Sequence, residues 1–112
     1  MSSDVLDRAS ALHRMDGDEH LYEEIVSIFL ADAPSQIDKL KIALAAEDRI
    51  VGERHAHSLK SAAANIGANT LRDACAAAEK DFAKANMIVI MKYVERIEAE
   101  FVKVKQQLES IQ

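Results

Sequence analysis

One cysteine, one proline, three glycines and no tryptophan among 112 residues leave several protein classes without material. A lone thiol cannot close a disulfide within the chain, and no Cys-x-x-Cys pair occurs, which excludes a stapled secreted scaffold and a structural zinc knuckle. So few Gly and Pro leave little from which to build hairpins. Basic runs are missing too: 14 Lys and Arg stand against 19 Asp and Glu, a net charge of −5. Nucleic acid and anionic membranes both require clustered cations, so neither is an expected partner. The longest strongly apolar run, Met87 to Met91, is far short of the roughly 20 residues a bilayer span demands. The start, Met1-Ser2-Ser3-Asp4, has neither a basic opening nor an apolar stretch, which predicts no signal peptide and a cytoplasmic location.

What is present reads as one helical domain over residues 1–112. The composition, 49% hydrophobic and 29% charged, is that of a globular chain rather than a disordered one. A short segment from about Asp4 to Arg14 ends in the turn-like cluster Met15-Asp16-Gly17-Asp18. Asp16 or Asp18 can then cap a helix whose apolar positions Leu21, Ile25, Ile28 and Phe29 recur at helical spacing. Pro34 is expected to break or kink this helix, with the pattern resuming at Ile37, Leu40 and Leu44. After the polar connection Glu47-Asp48-Arg49, a helix runs from about Ile50 to Ile66 and stops at Gly67, a left-handed cap. Asn69 or Thr70 can start the next, with Leu71, Ala74, Cys75, Ala78 and Phe82 on one stripe. The last carries Met87, Ile90, Val94, Ile97, Phe101, Val104, Leu108 and Ile111 in steps of three and four, a heptad pattern that a self-associating zipper would also show. Three other amphipathic helices joined by short connections favour packing within the chain. The expected fold is all-α: an antiparallel four-helix bundle with a short additional N-terminal helix, a monomer.

Packing accounts for every helix except the one holding Arg54-His55-Ala56-His57-Ser58-Leu59-Lys60-Ser61. With Leu59 at the centre of the buried face, Ile66, Ala62, Ala63 and His55 fall within about 60° of the core direction, and His57 falls about 160° away. Lys60 lies beside His57 at i+3, and Ser61 and Ala64 complete the same outward face. Exposed helix surfaces ordinarily carry long charged side chains; here small ones leave the imidazole standing clear. A neutral imidazole is a competent nucleophile near pH 7, and an ammonium one turn away would offset the charge of an incoming phosphoryl group. His55 points elsewhere and is expected to flank the core. His13 and His20 lack partners at ligand spacing, Cys75 reads as a small buried hydrophobe, and Met87 and Met91 read as packing material. His55 and His57 cannot chelate together from one helix, no Glu-x-x-His pair or His-Glu-x-x-His is present, and no metal site is expected. Phosphate-binding glycine loops are also lacking, so no nucleotide site is expected.

The stretch Ala56-His57-Ser58-Leu59-Lys60-Ser61-Ala62-Ala63-Ala64-Asn65-Ile66-Gly67 resembles the signature of histidine-containing phosphotransfer (HPt) domains, Ala-His-x-Leu-Lys-Gly with a further Gly ten residues after the histidine. The resemblance extends over roughly Asp4 to Phe82, with Asp16-Gly17-Asp18, Leu21, Phe29, Pro34, Ile37, Leu40 and Asp48 upstream and Leu71, Cys75 and Glu79 downstream. One departure is Ser61, where the family carries Gly; Ser is small enough to permit close approach and can offer its hydroxyl to the phosphoryl group. The resemblance implies a carrier, not a kinase, that takes a phosphoryl group on His57 from a receiver-domain aspartate and passes it to another receiver. Lys60 would steady the group and Gly67 would end the helix. Partners would be response-regulator receivers or a hybrid sensor histidine kinase, any magnesium being the receiver's. The docking face would take in Glu53, Lys60, Ser61 and Ala64, with Leu21, Tyr22 or Ile25 as an apolar rim. The alternative is a helical interaction module that binds such a partner without accepting phosphate.

Overall fold

The computed structural model describes residues 5–111, with the side chain of Ile111 outside the described part. Five helices follow one another: α1 (Arg8–Arg14), α2 (Glu19–Ala45), α3 (Arg49–Ile66), α4 (Asn69–Phe82) and α5 (Met87–Ile111). Asp4, expected in the first helix, lies outside the described residues.

Side-chain caps open most of these helices. Asp18 accepts the backbone N–H of Leu21 at 3.0 Å and Asp48 accepts that of Val51 at 3.1 Å, so both long central helices open on a carboxylate cap. Asn86 does the same for α5, accepting the N–H of Val89 at 3.0 Å. At the junction of α3 and α4, Gly67 adopts φ +81°, the left-handed cap its position predicts. α4 starts at Asn69, one of the two starts expected, but its cap position is Ala68, which has no capping side chain.

α2, α3, α4 and α5 alternate in direction. Antiparallel pairing shows in cross-links such as Tyr22 to Ile66 and His55 to Gln36 between α2 and α3, and Thr70 to Glu100 and Tyr93 to Asp81 between α4 and α5. The buried set runs through all five helices, and α5 contributes Ile90, Val94, Ile97, Phe101, Val104 and Leu108 from its heptad. That stripe is covered by α2 and α4, so the bundle itself accounts for it. Met91, read as packing material, is instead exposed.

Of the two outcomes expected at Pro34, a break does not occur: the helix continues from Glu19 to Ala45. Proline removes one hydrogen bond, to the Leu30 carbonyl, and buried Phe29, Ala33, Ile37 and Leu40 hold both sides of that point to one core. The buried stripe runs through Tyr22, Val26, Phe29, Ala33, Ile37 and Leu40, leaving Ile28 68% exposed. Two rows of apolar residues exist on this helix, each at three-and-four spacing, and only the neighbours select between them.

The seam between α3 and α4 is tight where Gly52 meets the Phe82 ring, and both helices carry further small buried residues, Ala56 and Ala63 on α3 and Ala74 and Ala78 on α4. A Cβ placed on Gly52 would overlap the fully buried Phe82 ring. Arg49 ties the same end together, donating to the carbonyls of Phe82 and Ala85 at 2.9 and 2.7 Å. Gly52→Ala is therefore expected to destabilise the fold by about 1–3 kcal/mol, the cost of overpacking a tight core. Urea unfolding followed by circular dichroism measures it, and an unchanged midpoint would mean that the seam can widen without cost.

Candidate functional site

His57 emerges from the middle of α3 with its side chain 59% exposed, on the face that the helical spacing assigns. α4 packs against α3, and Glu79 reaches across from it to the histidine helix. One Glu79 oxygen lies 2.8 Å from His57 Nδ1, and the other accepts Lys60 Nζ at 2.5 Å. The Glu79 side chain is 21% exposed, in a position where solvent screens it only in part. Lys60, through its hydrogen bond, is the main cause holding the Glu79 carboxyl below its ordinary range; the hydrogen bond from His57 acts in the same direction.

This decides the tautomer. A carboxylate held ionised can only accept, so Nδ1 carries the proton and donates it to Glu79. The lone pair of the neutral ring then sits on Nε2, which has no partner among the described residues. Nε2 is thus an exposed nucleophile, Glu79 can stabilise positive charge that develops on the ring, and Lys60 stands one helical turn away.

The other expected residues fall as follows. Glu53 and Ser61 are exposed and Ala64 is half-buried, all near His57 on α3. On α2, Leu21 is 39% exposed and Ile25 half-buried. Gln36 belongs to the same edge of α2 by helical spacing and touches His55, which puts Leu21, Ile25 and exposed Ile28 on the side of α2 toward α3. Tyr22 does not join this rim. It is 2% exposed, and its hydroxyl donates to the Ile66 carbonyl at 2.9 Å. A phenol ring gains by burial while its hydroxyl finds a backbone acceptor near the end of α3, and this removes it from any surface.

His55 is half-buried, with Nδ1 2.7 Å from Gln36 Oε1. Burial first, then the charges of Lys39 and Arg54, lowers its pKa and keeps it neutral near pH 7. Exposed His20 pairs with Glu24 at 3.0 Å, and His13 is exposed. Cys75 is buried in the core, and burial pushes its thiol up to about 12, so it is no nucleophile. Among the described residues no three His, Cys, Asp or Glu side chains are grouped to hold a metal ion, and no helix is long and apolar enough to cross a membrane.

Sequence reasoning placed Glu79 only as part of a resemblance, without a role. Its partner is 22 residues away on another helix, and spacing within α4 alone does not reveal which neighbour it faces.

Comparison with known proteins agrees with this geometry. A solved structure, the HPT domain from the Hpt sensor hybrid histidine kinase from Shewanella, shares the fold with a TM-score of 0.84 at 18% identity, covering 96% of this chain and 93% of that one. No curated protein matches the chain significantly. The model of the Hpt domain family matches residues 24–111, which include His57, Lys60 and Glu79. With most of its length matched, and an exposed histidine on the second long helix of the bundle, the chain belongs to the Hpt domain family, the histidine phosphotransfer domains of two-component phosphorelays.

Proposed function

We propose that the chain, as a single domain over residues 1–112, carries a phosphoryl group on His57 between receiver domains, without any kinase activity of its own. The observation that carries this reading is the exposed ring whose Nδ1 is 2.8 Å from the Glu79 carboxylate. Nε2 attacks the phosphorus of a receiver's aspartyl phosphate, the bond from phosphorus to the aspartyl oxygen breaks, and the carboxylate leaves with the electron pair. The phosphorylated ring keeps its proton on Nδ1, where Glu79 balances the positive charge. Lys60, loosened from Glu79, offsets the negative phosphoryl oxygens, and the Ser61 hydroxyl donates to one of them. Transfer onward reverses these steps on a second receiver aspartate.

The receiver supplies the magnesium and the chain supplies the nucleophile, since phosphoryl transfer is chiefly positioning and charge compensation. The receiver covers Glu53, Lys60, Ser61 and Ala64 and rests its apolar rim on Leu21 and Ile25. Such a transient contact buries on the order of 1,200 Å² or less. Gly67 ends α3 so that α4 can return and bring Glu79 back to the histidine. The working location is the cytoplasm and the working state a monomer.

Incubating the chain with phosphorylated receiver domains, then testing for acid-labile, base-stable label, checks the reading. Binding without label would instead support an interaction module. Lys60→Ala is expected to slow transfer about tenfold or more, the scale of losing one charge-stabilising group, with the helical fold kept. Rapid-quench transfer measurements check this; an unchanged rate would mean that the partner provides all the charge compensation.

A further inference from the structure

The surface stripe of α3 continues beyond Ser61 to Ala64, and there a side chain from another helix crosses it. Arg14, the last residue of α1, donates from Nη2 to the Ala64 carbonyl at 2.8 Å while remaining exposed. Ala64 lies seven residues after His57 on nearly the same face, hence about 10.5 Å along the axis. That places a guanidinium at the rim of a footprint centred on His57.

Its electrostatic position differs from that of Lys60, the cation nearest the histidine. Lys60 is neutralised by Glu79. Arg54 and Glu53 are both exposed, so that end of the face carries one charge of each sign. Arg14 has no carboxylate within ion-pair distance among the described residues. Asp7, whose carboxyl feels its charge, is already occupied with the N–H and hydroxyl of Ser10 at 3.1 and 2.8 Å. On a chain of net charge −5, a guanidinium at the edge of the histidine face with no carboxylate partner among the described residues is a feature that a partner can read. Arg14 also precedes the segment 24–111 matched by the family model, so its presence does not follow from family membership.

We propose that Arg14 is a docking cation, pairing with a carboxylate on the receiver surface beside the phosphorylated aspartate. This rests on the phosphotransfer reading above. A site that holds a divalent cation beside an aspartyl phosphate is lined by carboxylates, so the rim it presents is acidic. Arg14 meets that rim at the Ala64 end, while Glu53 and Arg54 present no net charge at the other. The asymmetry favours one orientation of the receiver over its reverse and speeds encounter more than chemistry.

The test uses the full chain and a panel of purified receiver domains charged with acetyl phosphate, with variants Arg14→Lys, Arg14→Gln and Arg14→Glu. Gln keeps a donor for the Ala64 carbonyl but lacks the charge, so it separates docking from a structural role. At about 0.1 M salt, Gln is expected to raise the half-saturating receiver concentration about threefold and Glu about tenfold, with Lys near the unmodified chain. The limiting transfer rate should move less than the half-saturating concentration. At about 1 M salt, where the Debye length falls from about 10 Å to about 3 Å, the differences should collapse. Gln behaving like the unmodified chain, or an effect that ignores salt, would overturn the proposal. Fluorescence anisotropy with unphosphorylated receivers gives the same comparison without any transfer. Absence of label on every variant would defeat the phosphotransfer reading, and the anisotropy series would still decide on Arg14.

Discussion

His57→Gln is expected to abolish the acid-labile, base-stable phosphoryl label, a loss of about a thousandfold or more in transfer from a phosphorylated receiver. Removing a covalent nucleophile leaves no second group able to take its place in the same geometry. Glutamine is close in size and polar, and the side chain it replaces is 59% exposed. Stability should therefore change by less than about 0.5–1 kcal/mol, and the helical circular dichroism should persist. The measurement pairs rapid-quench labelling with a thermal melt on the same sample. Label that survived would move the site, and His55 is the first place to look. Its Nδ1 is engaged by Gln36 in a half-buried position, so it would label slowly, after local opening.

The second large effect falls on Glu79, which touches no phosphoryl group directly. Glu79→Ala is expected to slow transfer about a hundredfold, and Glu79→Gln about tenfold, because glutamine still accepts from Nδ1 but cannot balance charge on the ring. Two readouts separate this from a structural defect. Stability should fall by less than about 1 kcal/mol, as for a partly exposed ion pair, far less than the kinetic loss. The pH dependence also has a defined sign. Lys60, and then His57, hold the folded Glu79 carboxyl below its ordinary value of 4.5. Its stabilising contribution is thus complete above about pH 4.5 and disappears as pH falls through the lowered value. The stability difference between the unmodified chain and Glu79→Gln should be flat above that point and shrink below it, as thermal melts from about pH 3 to about pH 7 would show. A Gln variant with full transfer rates would mean that the tautomer is set without the carboxylate charge.

Legibility differed from helix to helix for physical reasons. α5 could be placed from its heptad because only one of its faces is consistently apolar, and Ile90 through Leu108 are buried as that pattern requires. α2 could not, because Leu21, Ile25 and Ile28 form a second row at the same spacing as Tyr22, Val26 and Phe29. Periodicity reports that a helix is amphipathic; it does not say which of two rows meets the neighbour. Tyr22 shows the consequence, since its burial depends on a carbonyl at the far end of α3. Pro34 shows tertiary context in the same way, in that no break occurs there: a local penalty of about 3 kcal/mol is offset when buried residues on both sides belong to one core.

The amino-acid order alone determined that the chain is helical, where α3 ends, and that His57, Lys60, Ser61 and Ala64 share an outward face, because these follow from residue propensities and from 3.6 residues per turn. Tertiary structure alone decided that Glu79 meets both His57 and Lys60, that Arg14 crosses the end of the same face, and that Tyr22 is withdrawn from it. Those contacts depend on how closely separate helices approach, as where Gly52 leaves room for the Phe82 ring, a property no single helix possesses.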